Sequence, residues 1–158
     1  MMGRLHFILF ASLFPALPAS GVEFVTGPVE ARVLRVMDGD TFDAEALVWP
    51  GHTVRVAVRL RGVDAPEMRS PCIAERRAAA RAKVELERLV GAGAVTISQI
   101  GGGKYYGRVI ADAANAEGLP IASALLRLGV VRPYSGGRRV PFCDTEAAAS
   151  TSWLETGQ

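Results

Sequence analysis

Three β-rich runs in the early part of the chain most constrain what it can fold into. They are Val29–Met37, Thr41–Val48 and Thr53–Leu60. Each is rich in β-branched or other short apolar residues, and the third comes close to strict alternation of apolar and polar side chains, as in a half-buried strand. Asp38-Gly39 predicts a type I′ hairpin turn after the first run, and Pro50-Gly51 marks a turn after the second. The pattern predicts three consecutive strands joined by hairpins.

The residue pattern changes to a helical period after the third run. From Pro71 to Val90, Ala, Arg, Lys, Glu and Leu dominate, and Pro71 and Gly91 suit a helix start and stop. The other predicted elements are strands Ala94–Ile100 and Arg108–Ala114, helices Pro120–Leu128 and Asp144–Leu154, and loops Gly101–Gly103 and Arg132–Pro141. This order predicts a five-stranded β-barrel of the OB type with appended helices, an α+β fold. A split antiparallel sheet with packed helices is the alternative.

The N-terminal residues have the layout of a signal peptide. Arg4 precedes an apolar run, Leu5–Leu17, and small residues follow from Pro18 to Gly21. The run is shorter than the roughly 20 residues that a membrane-spanning helix needs. An uncleaved anchor or a buried strand is the alternative. We predict a signal peptide over residues 1–20, a linker over 21–28, a domain over 29–158, and an exported protein, periplasmic or secreted, that has no membrane association after signal removal.

The charge of the chain is distributed unevenly. Removal of residues 1–20 leaves 17 basic and 16 acidic residues, so global charge does not indicate a nucleic-acid binder. However, residues 38–45 contain four acids and no base, whereas residues 104–139 contain six basic residues and two acids. An acidic pocket beside a basic face would suit a cation together with a polyanion. Ordinary solvated surface charge is the alternative for the basic residues.

Three separated stretches combine carboxylates and arginines in a way that suits phosphodiester hydrolysis. They are Asp38-Gly39-Asp40-Thr41 after the first strand, Arg59-Leu60-Arg61-Gly62-Val63-Asp64-Ala65-Pro66-Glu67 at the end of the third, and Tyr106-Gly107-Arg108 at the start of the fifth. Carboxylate oxygens are the ligands that Ca²⁺ prefers, and a further carboxylate can handle a water. Arginine forks bind two phosphate oxygens at a time. Each stretch alone is more typical of a turn or a strand end, so the prediction depends on all three together.

The combined stretches resemble the staphylococcal nuclease (thermonuclease) family over about Val29 to Arg132. The resemblance implies that Asp40 and Asp64 are calcium ligands. It also implies that Ala65, where the family often has threonine, contributes a backbone carbonyl ligand. Glu67 matches the carboxylate that positions or deprotonates the attacking water.

The same resemblance assigns roles to arginines and tyrosines. Arg59 and Arg108 match the two phosphate-binding arginines of the family. Tyr106 and Tyr134 are candidates for stacking on nucleotide bases. The aromatic residues that the family has after the second helix reduce here to Tyr134, shifted in register, and a structural role is the alternative for both tyrosines.

The two cysteines are predicted to form a disulfide. Cys72 and Cys143 are an even number of cysteines in a chain predicted to be exported to an oxidising compartment. The family resemblance does not supply this pair, and two free buried thiols are the alternative. A bond between them would hold the basic segment before Cys143 beside the edge of the candidate site.

These observations predict an exported, calcium-dependent endonuclease that hydrolyses DNA and RNA. The resemblance implies release of the 5′-oxygen and products that end in 3′-phosphate, with little base specificity because the assigned residues address phosphate. A non-catalytic OB module that binds single-stranded nucleic acid is the alternative from another functional class. A calcium-binding structural protein is a third possibility. Nothing in the sequence requires more than a monomer.

Overall fold

A computed structural model describes residues 24–143 of the chain. The predicted signal peptide over residues 1–20 and the predicted helix Asp144–Leu154 lie outside the described residues. The strands are β1 (Phe24–Val25), β2 (Val29–Val36), β3 (Thr41–Trp49), β4 (His52–Leu60), β5 (Val63–Asp64), β6 (Ala94–Gly102), β7 (Arg108–Asn115) and β8 (Arg132–Pro133), and the helices are α1 (Ile73–Val90) and α2 (Ile121–Arg127). No helix in this range is both long and apolar enough to cross a membrane.

Five of these strands close into a barrel. β2, β3 and β4 form an antiparallel meander, β4 pairs with β7 in parallel, β7 pairs with β6, and β6 returns to β2. The closed order confirms the predicted OB-like barrel with appended helices. A split antiparallel sheet is excluded because both edges that such a sheet would leave open are paired here.

The structure departs from the predicted elements where backbone pairing extends into segments without a clear strand pattern. β1 lies in the predicted linker and pairs with β6, with Phe24 opposite Gly101. β6 therefore runs through Gly102, into the predicted glycine loop, where β7 also pairs with it. β8 lies in the predicted loop after α2 and pairs with β5. Backbone hydrogen bonds need no particular side chain, so side-chain periodicity does not reveal such extensions.

The Asp38-Gly39 turn is not the predicted type I′ turn. That turn requires positive φ at both central residues, and neither Asp38 nor Gly39 has one. Gly39 serves a close approach instead. A Cβ atom at this position would lie 2.5 Å from the Cβ of Ala82 and 2.8 Å from the Cβ of Ala65. The absence of a side chain thus lets the β2–β3 loop pack on α1 and brings Asp40 beside Ala65.

The core fills the barrel and the face on which α1 packs. The apolar residues of α1 that the helical period predicts to be buried are buried: Ala79, Ala82, Leu86, Leu89 and Val90. Leu86, Leu89 and Val90 belong to one cluster with residues of the barrel and of α2, among them Phe42, Val58, Ile97, Ile121 and Leu125. The start of β3, the end of β4 and the segment after β5 therefore adjoin this core through Phe42, Leu60 and Ala65.

The predicted disulfide between Cys72 and Cys143 is present, with the two Cα atoms 6.5 Å apart. Cys72 is the N-cap residue of α1, and Cys143 ends the segment that follows β8. The guanidinium of Arg132 stacks on the Phe142 ring at 3.6 Å from its centroid, next to the bond. The segment from β8 to Cys143 is therefore fixed at both ends.

Reduction of this disulfide is expected to lower the thermal stability of the protein. The bond closes a loop with a sequence separation of 71 residues. In the chain-entropy account a loop of that size is worth about 4 kcal/mol, so the Tm should fall by roughly 10 °C or more. Thermal unfolding with and without reductant measures this. The double variant Cys72→Ser/Cys143→Ser should match the reduced protein and be insensitive to reductant. Equal Tm values in both conditions would contradict the expectation.

Candidate active site

Asp40 is the most deeply held carboxylate of the predicted site. It is 1% exposed and lies at the entry to β3. Its Oδ1 accepts hydrogen bonds from Nη1 of Arg59 at 2.5 Å and from the Thr41 hydroxyl at 2.8 Å, and its Oδ2 accepts one from the Ala65 amide at 2.9 Å. The carboxylate therefore ties the start of β3 to the end of β4 and to the segment after β5.

Burial raises the pKa of Asp40 above its usual range. The guanidinium of Arg59 opposes this rise, the nearby Asp38 carboxylate adds to it, and the hydrogen bonds from Ala65 and Thr41 oppose it. Removal of a carboxylate from water disfavours its charged form. The ionised form of Asp40 thus depends on the positive charge beside it.

Arg59 joins the two predicted calcium carboxylates. Its Nη2 lies 3.2 Å from Oδ1 of Asp64, while its Nη1 contacts Asp40. Arg59 pairs with Thr41 across the β3–β4 ladder, which places its guanidinium directly beside the β2–β3 loop. Asp40, Arg59 and Asp64 are therefore one cluster, as the sequence predicts. Two nitrogens of the Arg59 guanidinium therefore contact the Asp40 and Asp64 carboxylates.

The segment that carries Glu67 is held by a buried acid that the sequence analysis missed. Glu75, on the first turn of α1, is 6% exposed. Its Oε1 accepts the Glu67 amide hydrogen at 3.1 Å, and its Oε2 accepts the Ser70 hydroxyl hydrogen at 2.6 Å. Glu67 itself points outward, with a side chain that is 57% exposed. The backbone of Glu67 is fixed while its carboxylate stays accessible to a substrate.

Arg139 is the second residue that the sequence analysis missed. It comes from the segment between β8 and the disulfide. Its Nε donates to Oδ1 of Asp64 at 2.6 Å, its Nη2 donates to the Ala65 carbonyl, and its Nη1 contacts Oε1 of Glu67. One guanidinium thus contacts three of the four oxygen groups to which the sequence assigns metal binding or water activation.

Arg108 begins β7 on the strand next to Arg59. It pairs with Ala57, two residues before Arg59 on β4. Paired residues of neighbouring strands share a face, so Arg108 and Arg59 lie on the same side of the sheet, roughly 8 Å apart at their Cα atoms. The Arg108 guanidinium carbon lies 5.3 Å from the centroid of the Tyr105 ring, over which Lys104 also lies. Arg108 therefore contacts an aromatic ring and lies on the face of the sheet that carries Arg59.

The two predicted stacking tyrosines differ in their surroundings. Tyr106 is fully exposed in the β6–β7 loop, so its ring is accessible to a ligand. Tyr134 donates its amide hydrogen to the Gly62 carbonyl and its hydroxyl hydrogen to the Gly137 carbonyl at 2.8 Å. These bonds fix the segment that carries Arg139, which is a structural role.

The oxygens of this site have the chemistry of a hard-cation site. The Asp64 carboxylate, the Ala65 carbonyl and the Glu67 carboxylate converge closely enough to contact one guanidinium. Carboxylate and carbonyl oxygens are ligands of calcium. Within residues 24–143 no three His, Cys, Asp or Glu side chains already form a metal-binding group. The guanidiniums of Arg59 and Arg139 supply the positive charge at these oxygens.

The sequence matches no family model and no curated protein.

A cavity of about 500 Å³ adjoins the site, between the Glu67–Glu75 segment and the Arg139–Cys143 segment. A larger cavity, of about 690 Å³, lies between β2 and the C-terminal end of α1 and contains none of the predicted site residues. Carboxylate and guanidinium chemistry, rather than cavity size, identifies the candidate site.

Proposed function

We propose that this chain is a calcium-dependent nuclease that hydrolyses phosphodiester bonds in DNA and RNA, of the type found in the staphylococcal nuclease family. The observation that carries the proposal is one contiguous cluster. Arg59 joins the Asp40 and Asp64 carboxylates, and Arg139 joins Asp64 to the Ala65 carbonyl and the Glu67 carboxylate. An OB-like barrel and an arginine on the adjacent strand support the same reading. Helix capping or an ordinary surface ion pair would not require buried carboxylates, a backbone carbonyl and an arginine to lie together in this way.

The proposed chemistry assigns one task to each group. Asp40, Asp64 and the Ala65 carbonyl would hold Ca²⁺, which supplies charge neutralisation and polarisation of a phosphate oxygen. Glu67 positions a water and accepts its proton as the oxygen attacks phosphorus. The bond from phosphorus to the 5′-oxygen breaks, the leaving oxygen takes a proton from solvent, and a 3′-phosphate remains. Arg108 stabilises the additional negative charge of the transition state through its planar fork.

We also propose that the mature protein is exported, to the periplasm or beyond the cell, and acts as a monomer. The Cys72–Cys143 disulfide supports export because such bonds persist in oxidising compartments. The apolar N-terminal run supports it independently. N-terminal sequencing of the exported protein tests the prediction: a start close to residue 21 is expected, and an intact first residue would contradict it.

Activity is expected to require a divalent cation, with Ca²⁺ more effective than Mg²⁺. Two buried carboxylates at one place favour a cation, and Mg²⁺ demands a tighter octahedral shell than these partly fixed ligands offer. Cleavage of single-stranded DNA, duplex DNA and RNA is measured after chelation and after return of each metal. Full activity in excess chelator would contradict metal dependence. Binding of single-stranded nucleic acid with no cleavage under any condition would favour the non-catalytic OB module instead.

A further inference from the structure

We infer that Arg139 is a built-in occupant of the cation site, so that Ca²⁺ and the Arg139 guanidinium compete for the same oxygens. The inference rests on the calcium site of the proposed function and adds a regulatory element to it. Its basis is the set of contacts that Arg139 makes. The Asp64 carboxylate, the Ala65 carbonyl and the Glu67 carboxylate all contact this one side chain.

Mutual exclusion follows from the positions of the oxygens. A hydrogen-bonded guanidinium nitrogen lies within about 2.9 Å of its acceptor, and a calcium ligand lies about 2.4 Å from the ion. A cation that binds the Asp64 and Ala65 oxygens would fall among the Arg139 nitrogens. Two positive charges in that space repel each other strongly. Cation binding therefore requires the Arg139 side chain to leave.

Glu67 is affected by the same contact. Its Oε1 is paired with Nη1 of Arg139, and a carboxylate held in this way is less able to accept a proton from a water. Withdrawal of Arg139 would thus open the cation site and release the water-activating carboxylate in one step. In this arrangement the Arg139 guanidinium balances the Asp64 and Glu67 carboxylates, which would otherwise repel each other.

The backbone segment that carries Arg139 keeps the guanidinium near the site after the side chain has left the cation-binding oxygens. The segment that carries Arg139 is fixed at one end by the Tyr134–Gly62 hydrogen bond and at the other by the Cys72–Cys143 disulfide. The side chain of Arg139 is 37% exposed, and the cavity of about 500 Å³ lies beside it. If the Arg139 side chain withdraws while its backbone stays in place, the guanidinium keeps a high effective concentration at the site.

Calcium binding by the full mature protein tests the inference directly. We call the form in which the Arg139 side chain has left the cation-binding oxygens the open form. If only a small fraction of the protein is in this form, the apparent Kd for Ca²⁺ equals the intrinsic Kd divided by that fraction. Arg139→Met removes one of the two guanidiniums that contact Asp64 and leaves Arg59 in place. It should tighten Ca²⁺ binding about tenfold or more, as measured by isothermal titration calorimetry, because Arg139 is the guanidinium that also contacts the Ala65 carbonyl and Glu67. Arg139→Lys keeps the charge but cannot contact three oxygens at once, so its affinity should be intermediate.

Two further variants separate competition from general effects. Arg138→Met makes the same charge change at the neighbouring exposed position and should leave the Kd within about twofold, since a solvated charge is screened. Cys72→Ser/Cys143→Ser releases one end of the segment and should tighten calcium binding by less than Arg139→Met. The Tm of each variant, measured without calcium, shows whether it is folded.

The outcomes distinguish this inference from the proposed nuclease activity. Tighter binding by Arg139→Met but not by Arg138→Met supports the competition, whether or not nucleic acid is cleaved. Equal or weaker binding by Arg139→Met overturns it even if the protein is an active nuclease. An absence of calcium binding in the wild type and in both Arg139 variants overturns the inference and the calcium site of the proposed function together.

Discussion

Glu67→Gln is expected to lower nuclease turnover by about 10²- to 10⁴-fold, the range for loss of a general base. The amide has the size of the carboxylate but cannot accept a proton from water. The fold should not change, because the ion pair that Glu67 makes with Arg139 is partly exposed to solvent and the Glu67 backbone is held by Glu75. The loss should therefore appear in turnover and not in stability.

Single-turnover cleavage at saturating Ca²⁺ measures the effect of Glu67→Gln, and thermal unfolding checks the fold. Glu87→Gln is a matched control, because Glu87 is a partly exposed glutamate near the other end of α1. It should cleave like the wild type. Equal cleavage by Glu67→Gln and the wild type would show that another group handles the water.

Arg108→Lys is expected to reduce turnover by about 10²-fold or more, while substrate affinity falls far less. Lysine keeps the charge but loses the planar fork, which binds two phosphate oxygens and strengthens as charge develops on them. Arg108 lies on the same face of the sheet as Arg59, and its guanidinium contacts the Tyr105 ring. A change in kcat larger than the change in KM is the signature of a group that acts on the transition state.

The control for Arg108→Lys is Arg77→Lys on the exposed face of α1. Both variants conserve charge, so a loss confined to position 108 reports the lost fork rather than a general effect on polyanion binding. Wild-type kcat in Arg108→Lys would remove Arg108 from the proposed chemistry and leave Arg59 as the phosphate-binding candidate.

Much of the fold could be predicted from the sequence because side-chain periodicity encodes it. The three hairpin strands and the buried face of α1 follow from spacing alone, and Ala82 and Leu86 lie where the helical period places them. The missed pairings, β1 with β6 and β5 with β8, depend on backbone hydrogen bonds between distant segments. The type I′ turn predicted at Asp38-Gly39 is wrong, because glycine is needed there for close contact with Ala82, which lies 43 positions further along the chain.

The proximity of some candidate site residues could be predicted from the sequence, but the network of contacts that holds them could not. Asp40, Arg59 and Asp64 come together as expected. In the sequence, Glu75 cannot be distinguished from a solvent-exposed glutamate in the first turn of a helix. Its role in holding the Glu67 segment depends on its burial and on its hydrogen bond from the Glu67 amide, which only the structure shows.

The sequence contains a signal that would place Arg139 near the site. Cys72 follows Glu67 by five positions and Cys143 follows Arg139 by four. The predicted disulfide therefore brings Arg139 into reach of Glu67, and the charges of the two residues are complementary. The prediction placed the basic segment beside the site but assigned no contact to Arg139. The register of that segment depends on β8 and on the Tyr134 hydrogen bonds, which the sequence pattern does not reveal.

The most direct test is end-group analysis of an oligonucleotide incubated with the purified, disulfide-bonded mature protein, with Ca²⁺ or with excess chelator. The proposal predicts cleavage in calcium with 3′-phosphate and 5′-hydroxyl ends, and no cleavage in chelator. Cleavage that is equal in chelator, or that leaves 3′-hydroxyl ends, would contradict the assigned chemistry. An intact oligonucleotide in calcium, under conditions where the protein is folded and binds the metal, would contradict nuclease function itself.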